Sequence, residues 1–560
     1  MGVPMSDSNA DPIIHDAEYY LLEEKHADSW AKEDAALDVQ LSVLREKHGG
    51  PPNIIHIMWD DTAFGDVGIP ALAAIRGFET PNLDRMRDEG IMFTRMYTEA
   101  ACTPSRAATI TGRHPVRTGM GVVDWPLIFG GLSGEEVTTA NVLSDAGYAT
   151  AFYGKWHLGD IEESYPHNQG FDETLFEPYN QVSGMWNAQG DAMNVAIGIA
   201  DGVRPKNPYA LDEDALRPDG YVQVIDGVKG GYTREWGGPD PETYNALDPE
   251  CERRLFDFIG RNVSDKKPFF ASYWPNMLGF VPDPIKTTYN SGALADTLKK
   301  VDAFIGELMT ELERLGIAEN TLLVAMADNG PMVHMPPSGW GMSATIFRGG
   351  KGEFLEGGVR VPAFAWWPGT IQPGQHVNDM IHETDLYTTF ARLGGGTDFI
   401  PRDRVVDGLD QTALLVNGDK HGRRDYNFIY TGDNLGATVK GRYKRHWGAV
   451  EGGDTGTAAV FFDLILDPRE EYAQMVPMIY QSGQWDRMLA RHELWKEKYP
   501  NRQKARGIPF TGIENARPET KEIENGIKRL RERLPFDPLE FMQFTMPKDK
   551  RLSHRTDAVD

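Results

Sequence analysis

Carboxylate and amide side chains follow two short apolar runs that lie far apart in the sequence. Asp60 and Asp61 come directly after one run, and Asp328 and Asn329 come directly after the other. Both runs resemble buried β-strands, whose carboxyl ends meet at one edge of a parallel sheet, where ligands bind. The four side chains would then form an all-oxygen set, which binds Ca²⁺ or Mg²⁺ in preference to Zn²⁺. Either pair alone is better explained as turn residues.

Basic side chains that suit an anion occur in two further segments. Lys155 and His157 are two residues apart, so on an extended segment both point to one face. An ammonium beside an imidazole suits an oxyanion. Lys351 lies with Arg360 in the Gly-rich stretch 347–362, and such a loop could bring Lys351 to the same anion. The alternatives are a solvated lysine, a packed histidine and an ordinary flexible loop.

One of only two cysteines, Cys102, stands at the predicted start of a helix. Pro104 suits the first helical turn, and Gly112 would end the helix. The unpaired N–H groups of a helix N-terminus favour an anion and lower the pKa of a thiol. The residues alone therefore leave two interpretations open, a small buried side chain or a thiolate nucleophile. Cys251 lies within a helical pattern and is interpreted as structural.

Composition excludes several classes of protein. The 560-residue chain has a net charge of −26, which argues against nucleic-acid binding and requires an anion site to supply its own cations. Two cysteines cannot build a disulfide framework. No run of about 18 apolar residues occurs, so we expect no membrane span. The first residues do not resemble a secretory signal, and we therefore expect a cytoplasmic protein.

Alternating strand and helix patterns predict an α/β protein with a largely parallel sheet. We expect a helical N-terminal arm over 1–50, packed on the main domain or on another subunit, which makes the arm a candidate contact for a homo-oligomer. A catalytic domain is predicted over 51–415, with an irregular insertion near the pocket at 180–250. Short antiparallel strands and a helix predict a smaller C-terminal domain and tail over 416–560.

The stretch around Cys102 resembles the signature of the type I, formylglycine-dependent sulfatases (the arylsulfatase family), in the alkaline-phosphatase-like superfamily. That signature is Cys-x-Pro-Ser-Arg followed by Thr-Gly-Arg, and it is matched here by Cys102, Pro104, Ser105, Arg106, Thr111, Gly112 and Arg113. Further matching segments extend the resemblance over about residues 53 to 475. It implies a large, mostly parallel sheet flanked by helices, and a smaller C-terminal α+β domain built on a short antiparallel sheet.

The resemblance also implies a mechanism. Cys102 would be oxidised by a formylglycine-generating enzyme, and the hydrated aldehyde would be the nucleophile. One divalent cation, Ca²⁺ first with Mg²⁺ or Mn²⁺ as alternatives, would be bound by the modified residue 102 together with Asp60, Asp61, Asp328 and Asn329. Arg106 would steady the hydrate. The sulfate group and the proton transfers would be assigned to Lys155, His157 and Lys351.

The sequence departs from the family at one place. Most members have a histidine shortly after the strand that corresponds to 268–274, and it protonates the leaving group. Here no histidine occurs between His167 and His334. Either the substrate is an aryl or otherwise activated ester, which needs little protonation, or His334 is the general acid and reaches the site from another loop.

The sequence therefore predicts a sulfatase that hydrolyses small sulfate monoesters, with aryl sulfates favoured. A phosphonate monoester or phosphodiester hydrolase on the same fold is the first alternative. The second is a catalytically inactive, sulfatase-like protein that only binds an anion. The intact cysteine motif and metal-ligand positions argue against that second alternative.

Overall fold

The computed structural model describes residues 11–124, 129–179, 224–238, 241–276, 292–333, 346–448, 460–474 and 482–533. The first eight strands are β1 Asn53–Trp59, β2 Ile91–Tyr97, β3 Gly130–Gly131, β4 Ala149–Lys155, β5 Glu173–Glu177, β6 Val224–Val228, β7 Thr233–Gly237 and β8 Phe269–Trp274. The remaining strands are β9 Thr321–Ala327, β10 Arg360–Trp366, β11 Gln375–Val377, β12 Ile381–His382, β13 Tyr426–Thr431, β14 Asn434–Lys440, β15 Tyr443–His446, β16 Val460–Asp463 and β17 Ala505–Arg506.

Helices alternate with these strands along the chain. The first six are α1 Ala17–His48, α2 Pro70–Ile75, α3 Pro81–Glu89, α4 Cys102–Thr111, α5 Thr139–Asp145 and α6 Pro241–Asp265. The others are α7 Gly292–Arg314, α8 Glu356–Val359, α9 Thr384–Gly394, α10 Thr412–Asn417, α11 Ser482–Lys498 and α12 Pro518–Arg533.

Within the described ranges, eleven strands form one large sheet. Its order is β11-β2-β10-β9-β1-β8-β4-β5-β6-β7, with β12 beside β2. The central strands are parallel, whereas β10, β6 and β7 run antiparallel to their neighbours. A separate antiparallel sheet has the order β13-β14-β15-β16. The prediction of a mostly parallel α/β sheet with a small antiparallel sheet is confirmed.

The centre of the large sheet is buried on both faces. Every residue of β1, β4, β8 and β9 is buried, which explains why these strands are almost continuously apolar in the sequence. Strands β1 and β9 pair in register from Asn53 opposite Thr321 to Trp59 opposite Ala327. Both strands therefore end at the same level, and the polar residues that follow them meet.

Helix α1 forms the predicted arm and packs on its own chain. It begins after Asp16 and ends at Gly49, whose φ of 75° is the left-handed conformation typical of a helix end. The Asp16 carboxylate accepts from Arg117 at 2.8 Å and lies 2.7 Å from a ring nitrogen of His492. The arm is thus fastened to both the large domain and the C-terminal helix α11. Association through the arm stays a prediction.

The predicted irregular insertion is wrong in its second part. Residues 224–228 and 233–237 form β6 and β7, and α6 begins at Pro241. These two strands lie at one side of the large sheet. They could not be recognised from the sequence, because strands at the side of a sheet need no continuous apolar run. Residues 180–223 lie outside the described residues. Among the described helices, none is both long and apolar enough to cross a membrane.

Candidate active site

Four oxygen-bearing side chains meet at the carboxyl ends of β1 and β9. The backbone N–H of Asp61 donates to Asp328 Oδ1 at 3.1 Å, and Asn329 Nδ2 donates to Asp61 Oδ1 at 2.6 Å. Asp61 has a φ of 51°, an uncommon conformation that is characteristic of functional sites. Asp60 and the other three residues are at most 3% exposed. The structure thus brings together the two pairs that the sequence singled out.

Cys102 faces this group from the first residue of α4, the helix that the sequence predicted. The helix runs from Cys102 to Thr111 and ends at Gly112, which has a φ of 67°. Potential ligand atoms of Asp60, Asp61 and Cys102 all lie within 4.8 Å of one another. The thiol and the carboxylates therefore share one pocket.

Three cationic side chains surround the carboxylates. Arg106 donates to Asp60 Oδ2 at 3.1 Å and to Asp328 Oδ2 at 3.0 Å. Lys155 contacts Asp60. Lys351 Nζ lies 2.6 Å from Asp61 Oδ1 and 2.7 Å from Cys102 Sγ. Because these three cations balance three carboxylates, adding a divalent ion leaves the pocket positive, as an anion site requires.

The ionisation of the carboxylates reflects this crowding. Burial alone would raise the pKa of Asp60, but the charges of Lys155 and Arg106 lower it far below its usual range. Burial and the charge of Asp60 raise the pKa of Asp328 to about 7, against the opposing effect of Arg106. A cation bound between them would favour the charged form of both carboxylates.

Two buried oxygens in the pocket fit a metal ion. Asp61 Oδ2 and Asn329 Oδ1 have no hydrogen-bond partner in the described part of the chain. A buried oxygen without a partner costs about 1–3 kcal/mol, and a hard cation would satisfy both. The donor set contains carboxylate and amide oxygens, the ligands that Ca²⁺ and Mg²⁺ prefer. The residues therefore fit the divalent ion that the sequence predicted.

The Cys102 thiol is protonated at neutral pH in this environment. Burial raises its pKa to about 11, although Lys155 and Lys351 pull it down. Only the thiolate is a strong nucleophile. In the metal-free pocket, burial thus outweighs the helix N-terminus, which argues against a thiolate there.

His157 is positioned by a carbonyl group that the sequence did not point to. Its Nε2 lies 2.8 Å from the backbone oxygen of Asp124. Since a carbonyl only accepts, Nε2 carries the proton and Nδ1 is the unprotonated nitrogen. Nδ1 is buried and has no hydrogen-bond partner among the described residues. Burial and the charge of Lys155 lower the pKa of His157 well below its usual value, so the ring is neutral.

The alternation argument for Lys155 and His157 is wrong in its geometry. Lys155 is the last residue of β4, and His157 has a φ of 58°, which is left-handed rather than extended. The two side chains still lie close enough for the Lys155 charge to act on the His157 ring. The chain reaches this arrangement by a sharp turn after the strand.

The loop that carries Lys351 is braced from the small C-terminal sheet. The backbone N–H of Glu356 donates to Glu470 Oε2 at 2.7 Å. Lys444 Nζ lies 3.0 Å from a carboxylate oxygen of each of these glutamates. Arg360, in the same Gly-rich stretch, instead packs over an aromatic ring and donates to a backbone carbonyl.

A second group of titratable residues combines two that flank α4 in the sequence with one from β12. Glu99, His114 and His382 have potential ligand atoms within 4.8 Å of one another. Glu99 Oε1 lies 2.7 Å from His114 Nδ1, within hydrogen-bond distance. His382 Nδ1 accepts from the backbone N–H of Thr384, which leaves the proton on Nε2, so this nitrogen is not free to bind a metal. The group is structural.

The general acid is not placed by the structure. His334 lies outside the described residues, as does the segment 277–291 that follows the strand where the family histidine is expected. Sequence reasoning also missed Asp124 and Lys444. A backbone carbonyl leaves no mark on residue type, and a lone lysine in a β-strand normally indicates a solvated face.

The comparisons with known proteins agree with this geometry. The sulfatase family profile matches residues 52–396. Arylsulfatase A of Homo sapiens is 34% identical over 466 residues, covering 78% of this chain and 85% of that protein. Steryl-sulfatase of Rattus norvegicus is 33% identical over 451 residues, covering 72% and 77%.

A solved structure extends the similarity to three dimensions. The PsFucS1 sulfatase from Pseudoalteromonas sp. is 31% identical, with a TM-score of 0.72, and the alignment covers 85% of this chain and 96% of that chain. The chain therefore belongs to the sulfatase family of the alkaline-phosphatase-like superfamily, a family of sulfate ester hydrolases.

Proposed function

We propose that this protein hydrolyses sulfate monoesters with good leaving groups, aryl sulfates above all, through a formylglycine made from Cys102. The observation that carries the proposal is the shared pocket of Cys102, Asp60 and Asp61, in which their potential ligand atoms lie within 4.8 Å of one another. A helix N-terminus, a set of oxygen ligands and three cations converge there. The helix N-terminus and the cations favour a sulfate group directly, and the oxygen ligands favour it through the divalent ion that they would bind.

The divalent ion, Ca²⁺ in the first instance, is assigned to Asp60, Asp61, Asp328 and Asn329. When bound, it supplies positive charge that offsets the negative charge of the sulfate oxygens. Arg106 donates to both Asp60 and Asp328, and its charge favours the ionised form of each carboxylate. The ligands of the ion are therefore oriented by the protein itself, ahead of substrate binding.

The lysines bind the sulfate group in this proposal. Lys351 reaches Cys102 Sγ, so its ammonium lies where an oxygen of a transferring sulfate would come closest to residue 102. Lys155 is fully buried and contacts Asp60, which holds its charge at the floor of the pocket. Preorganised cations of this kind stabilise charge that develops on the leaving and transferring oxygens.

His157 is the base. One hydroxyl of a hydrated formylglycine would take the sulfate group as the alcohol leaves. Loss of the proton from the second hydroxyl would then expel the sulfate and restore the aldehyde. The unprotonated Nδ1 of His157 is suited to accept that proton, because its Nε2 is already committed to Asp124. A serine at position 102 would lack this second hydroxyl.

The proposed preference for aryl esters follows from how much protonation the leaving group needs. A phenolate needs little protonation, whereas an alkoxide needs a general acid. The sequence has no histidine between His167 and His334. An activated ester can be cleaved without a general acid and is therefore the substrate class that suits this site best. His334 keeps its place as the alternative general acid.

Two other functions compete with this proposal. A phosphonate monoester or phosphodiester hydrolase would use the same pocket, with different cations near the leaving group. An inactive anion-binding protein would be expected to have lost some of the catalytic and metal-ligand residues. Here Cys102, the four metal-ligand residues and Lys155 are all present and buried, and Lys351 contacts Asp61.

The test combines the chemical state of residue 102 with turnover. Protein from its native host is digested, and the peptide that contains residue 102 is analysed by mass spectrometry, with metal content measured on the same sample. Turnover is compared on p-nitrophenyl sulfate, an aryl phosphonate monoester and a bis-aryl phosphate. An unmodified thiol with no turnover would overturn the proposal, and a preference for either phosphorus ester would favour the first alternative.

A further inference from the structure

The chain beyond the family-matched region returns to the active-site side of the molecule. The segment 502–510, here called the returning tail, is joined to residues 117–160 by backbone hydrogen bonds. Arg502 donates to the Arg117 carbonyl at 2.9 Å, and Phe510 donates to the Asp160 carbonyl at 2.7 Å. Between them, β17 pairs with β3. The family profile ends at residue 396, so the returning tail lies beyond the residues that the profile matches.

One side chain of the returning tail is buried against Asp124. The Lys504 ammonium contacts Asp124 Oδ1, and the two side chains are 9% and 0% exposed. Asp124 Oδ2 has no hydrogen-bond partner among the residues that the structure describes. Burial raises the pKa of Asp124, and Lys504 opposes that rise. Lys504 is therefore the partner that keeps this carboxylate in place.

The backbone of Asp124 connects two residues of the proposed mechanism. Its N–H donates to Thr103 Oγ1 at 3.0 Å, directly after Cys102 in the sequence. Its carbonyl accepts from His157 Nε2 at 2.8 Å. A shift of Asp124 would therefore move the base and disturb the first turn of the helix that carries the nucleophile.

We propose that Lys504 is a positioning residue for the sulfatase reaction, which holds Asp124 so that its backbone carbonyl fixes the orientation and tautomer of His157. This proposal rests on the function proposed above. In this proposal, Lys504 does not touch the reacting atoms. Its effect passes through one ion pair and one backbone hydrogen bond, and the base is the group affected.

The test compares three variants of the full-length, formylglycine-containing protein. Lys504→Met should lower kcat about 10- to 100-fold, since a displacement of about 1 Å can cost on the order of 100-fold, while KM stays within about twofold. Lys504→Arg should restore most of the loss. The matched control is Arg517→Met. It removes an ion pair between the chain that follows the returning tail and the buried Glu235, and it should leave kcat unchanged.

A crystal structure of the Lys504→Met protein provides a readout that does not depend on turnover. We expect the Asp124 carbonyl to have moved beyond hydrogen-bond distance of His157. An unchanged 2.8 Å contact would overturn the proposal, as would an equal loss of kcat in the Arg517→Met control or a normal kcat with a displaced carbonyl. If the wild-type protein has formylglycine and metal but cleaves no sulfate ester, the proposed function fails, and the crystal structure still decides the role of Lys504.

Discussion

Lys351 and Cys102 are 249 residues apart in the sequence, yet the lysine ammonium lies 2.7 Å from the cysteine sulfur. The same ammonium donates to Asp61 at 2.6 Å. One flexible cation thus spans the nucleophile position and the metal-ligand group. Because the Lys351 side chain is 16% exposed whereas those of Arg106 and Lys155 are fully buried, Lys351 is the cation of the pocket that substrate can reach first.

Replacing Cys102 by alanine should abolish turnover. Removing the nucleophile of an enzyme that acts through a covalent step costs on the order of 10⁴- to 10⁶-fold in kcat. The measurement is kcat/KM on p-nitrophenyl sulfate. Cys251→Ala is the matched control, because Cys251 is buried in α6 and should affect stability alone. Comparable activity in both variants would exclude residue 102 as the nucleophile.

Removing the divalent ion should inactivate and destabilise the protein. A ligand bound at about 100 times its Kd stabilises the folded state by about 2.7 kcal/mol, so Ca²⁺ added after chelation should raise Tm and restore turnover. The Tm rise should disappear in Asp61→Asn and persist in Asp257→Asn, a change in a half-exposed helical carboxylate. A Tm rise retained in Asp61→Asn would place the ion elsewhere.

The pH dependence of kcat should show no acid limb near pH 6.5. His157 acts as a base in its neutral form, and its pKa lies well below the usual value because the ring is buried beside Lys155. As the pH falls from 7 to about 5.5, a base with the ordinary pKa of about 6.5 would lose about tenfold in kcat, whereas His157 should lose little. His157→Gln should lower kcat about 10²- to 10⁴-fold at every pH. A tenfold drop centred near pH 6.5 would contradict the assignment.

A second pH effect concerns stability and the buried His56. Burial, together with the charge of Arg106, lowers its pKa to about 3. The unfolded chain takes up a proton at about pH 6.5 and the folded chain does not, so the stability due to this group is complete above pH 6.5 and is lost as the pH falls toward 3. About 2–3 kcal/mol should be lost by pH 4.5.

The check is urea unfolding of the metal-free protein at pH 7 and 4.5. His56→Gln should reduce the difference between the two free energies of unfolding by about that 2–3 kcal/mol. Comparing the change between two pH values cancels the packing cost of the substitution itself. An equal pH dependence in both proteins would show that His56 titrates normally.

Lys444→Met should destabilise the protein and impair catalysis together. It leaves Glu356 and Glu470 buried without their shared cation, and breaking a buried ion pair costs about 3–5 kcal/mol. The loop with Lys351 depends on the same contacts, so kcat/KM should fall as well. Lys47→Met removes an exposed pair with Glu319 and serves as the control, with no measurable effect on unfolding. Equal stability of the two variants would contradict the bracing role.

The parts of the site that depend on strand ends were predictable from the sequence. Polar residues that directly follow the apolar strands of a parallel sheet lie at the carboxyl end of those strands. Residue order and hydrophobic pattern were therefore enough to predict that Asp60 and Asp328 lie close together. Helix α4 was predictable for the same kind of reason, since Pro104 and Gly112 mark a start and an end. The expectation that the chain belongs to the sulfatase family is confirmed.

The parts that depend on backbone groups and distant ion pairs were not predictable. The contact of His157 with Asp124 uses a carbonyl oxygen, which every residue possesses. The residue with the left-handed backbone conformation at this turn is His157 and not a glycine, so the sequence does not mark the turn. The partner of Asp124, Lys504, lies in the C-terminal tail, and nothing in residue type or periodicity relates two positions so far apart.

The burial of Cys102 has a consequence for the order of events during synthesis. At 1% exposure the sulfur is closed to another protein once α4 has docked, so an enzyme that makes the proposed formylglycine would have to meet Cys102 before that point. Lys504 leaves the ribosome 380 residues after Asp124, which takes on the order of 20–80 s at about 5–20 residues per second. The proposed oxidation of Cys102 would therefore have that interval before the contact between Lys504 and Asp124 can form.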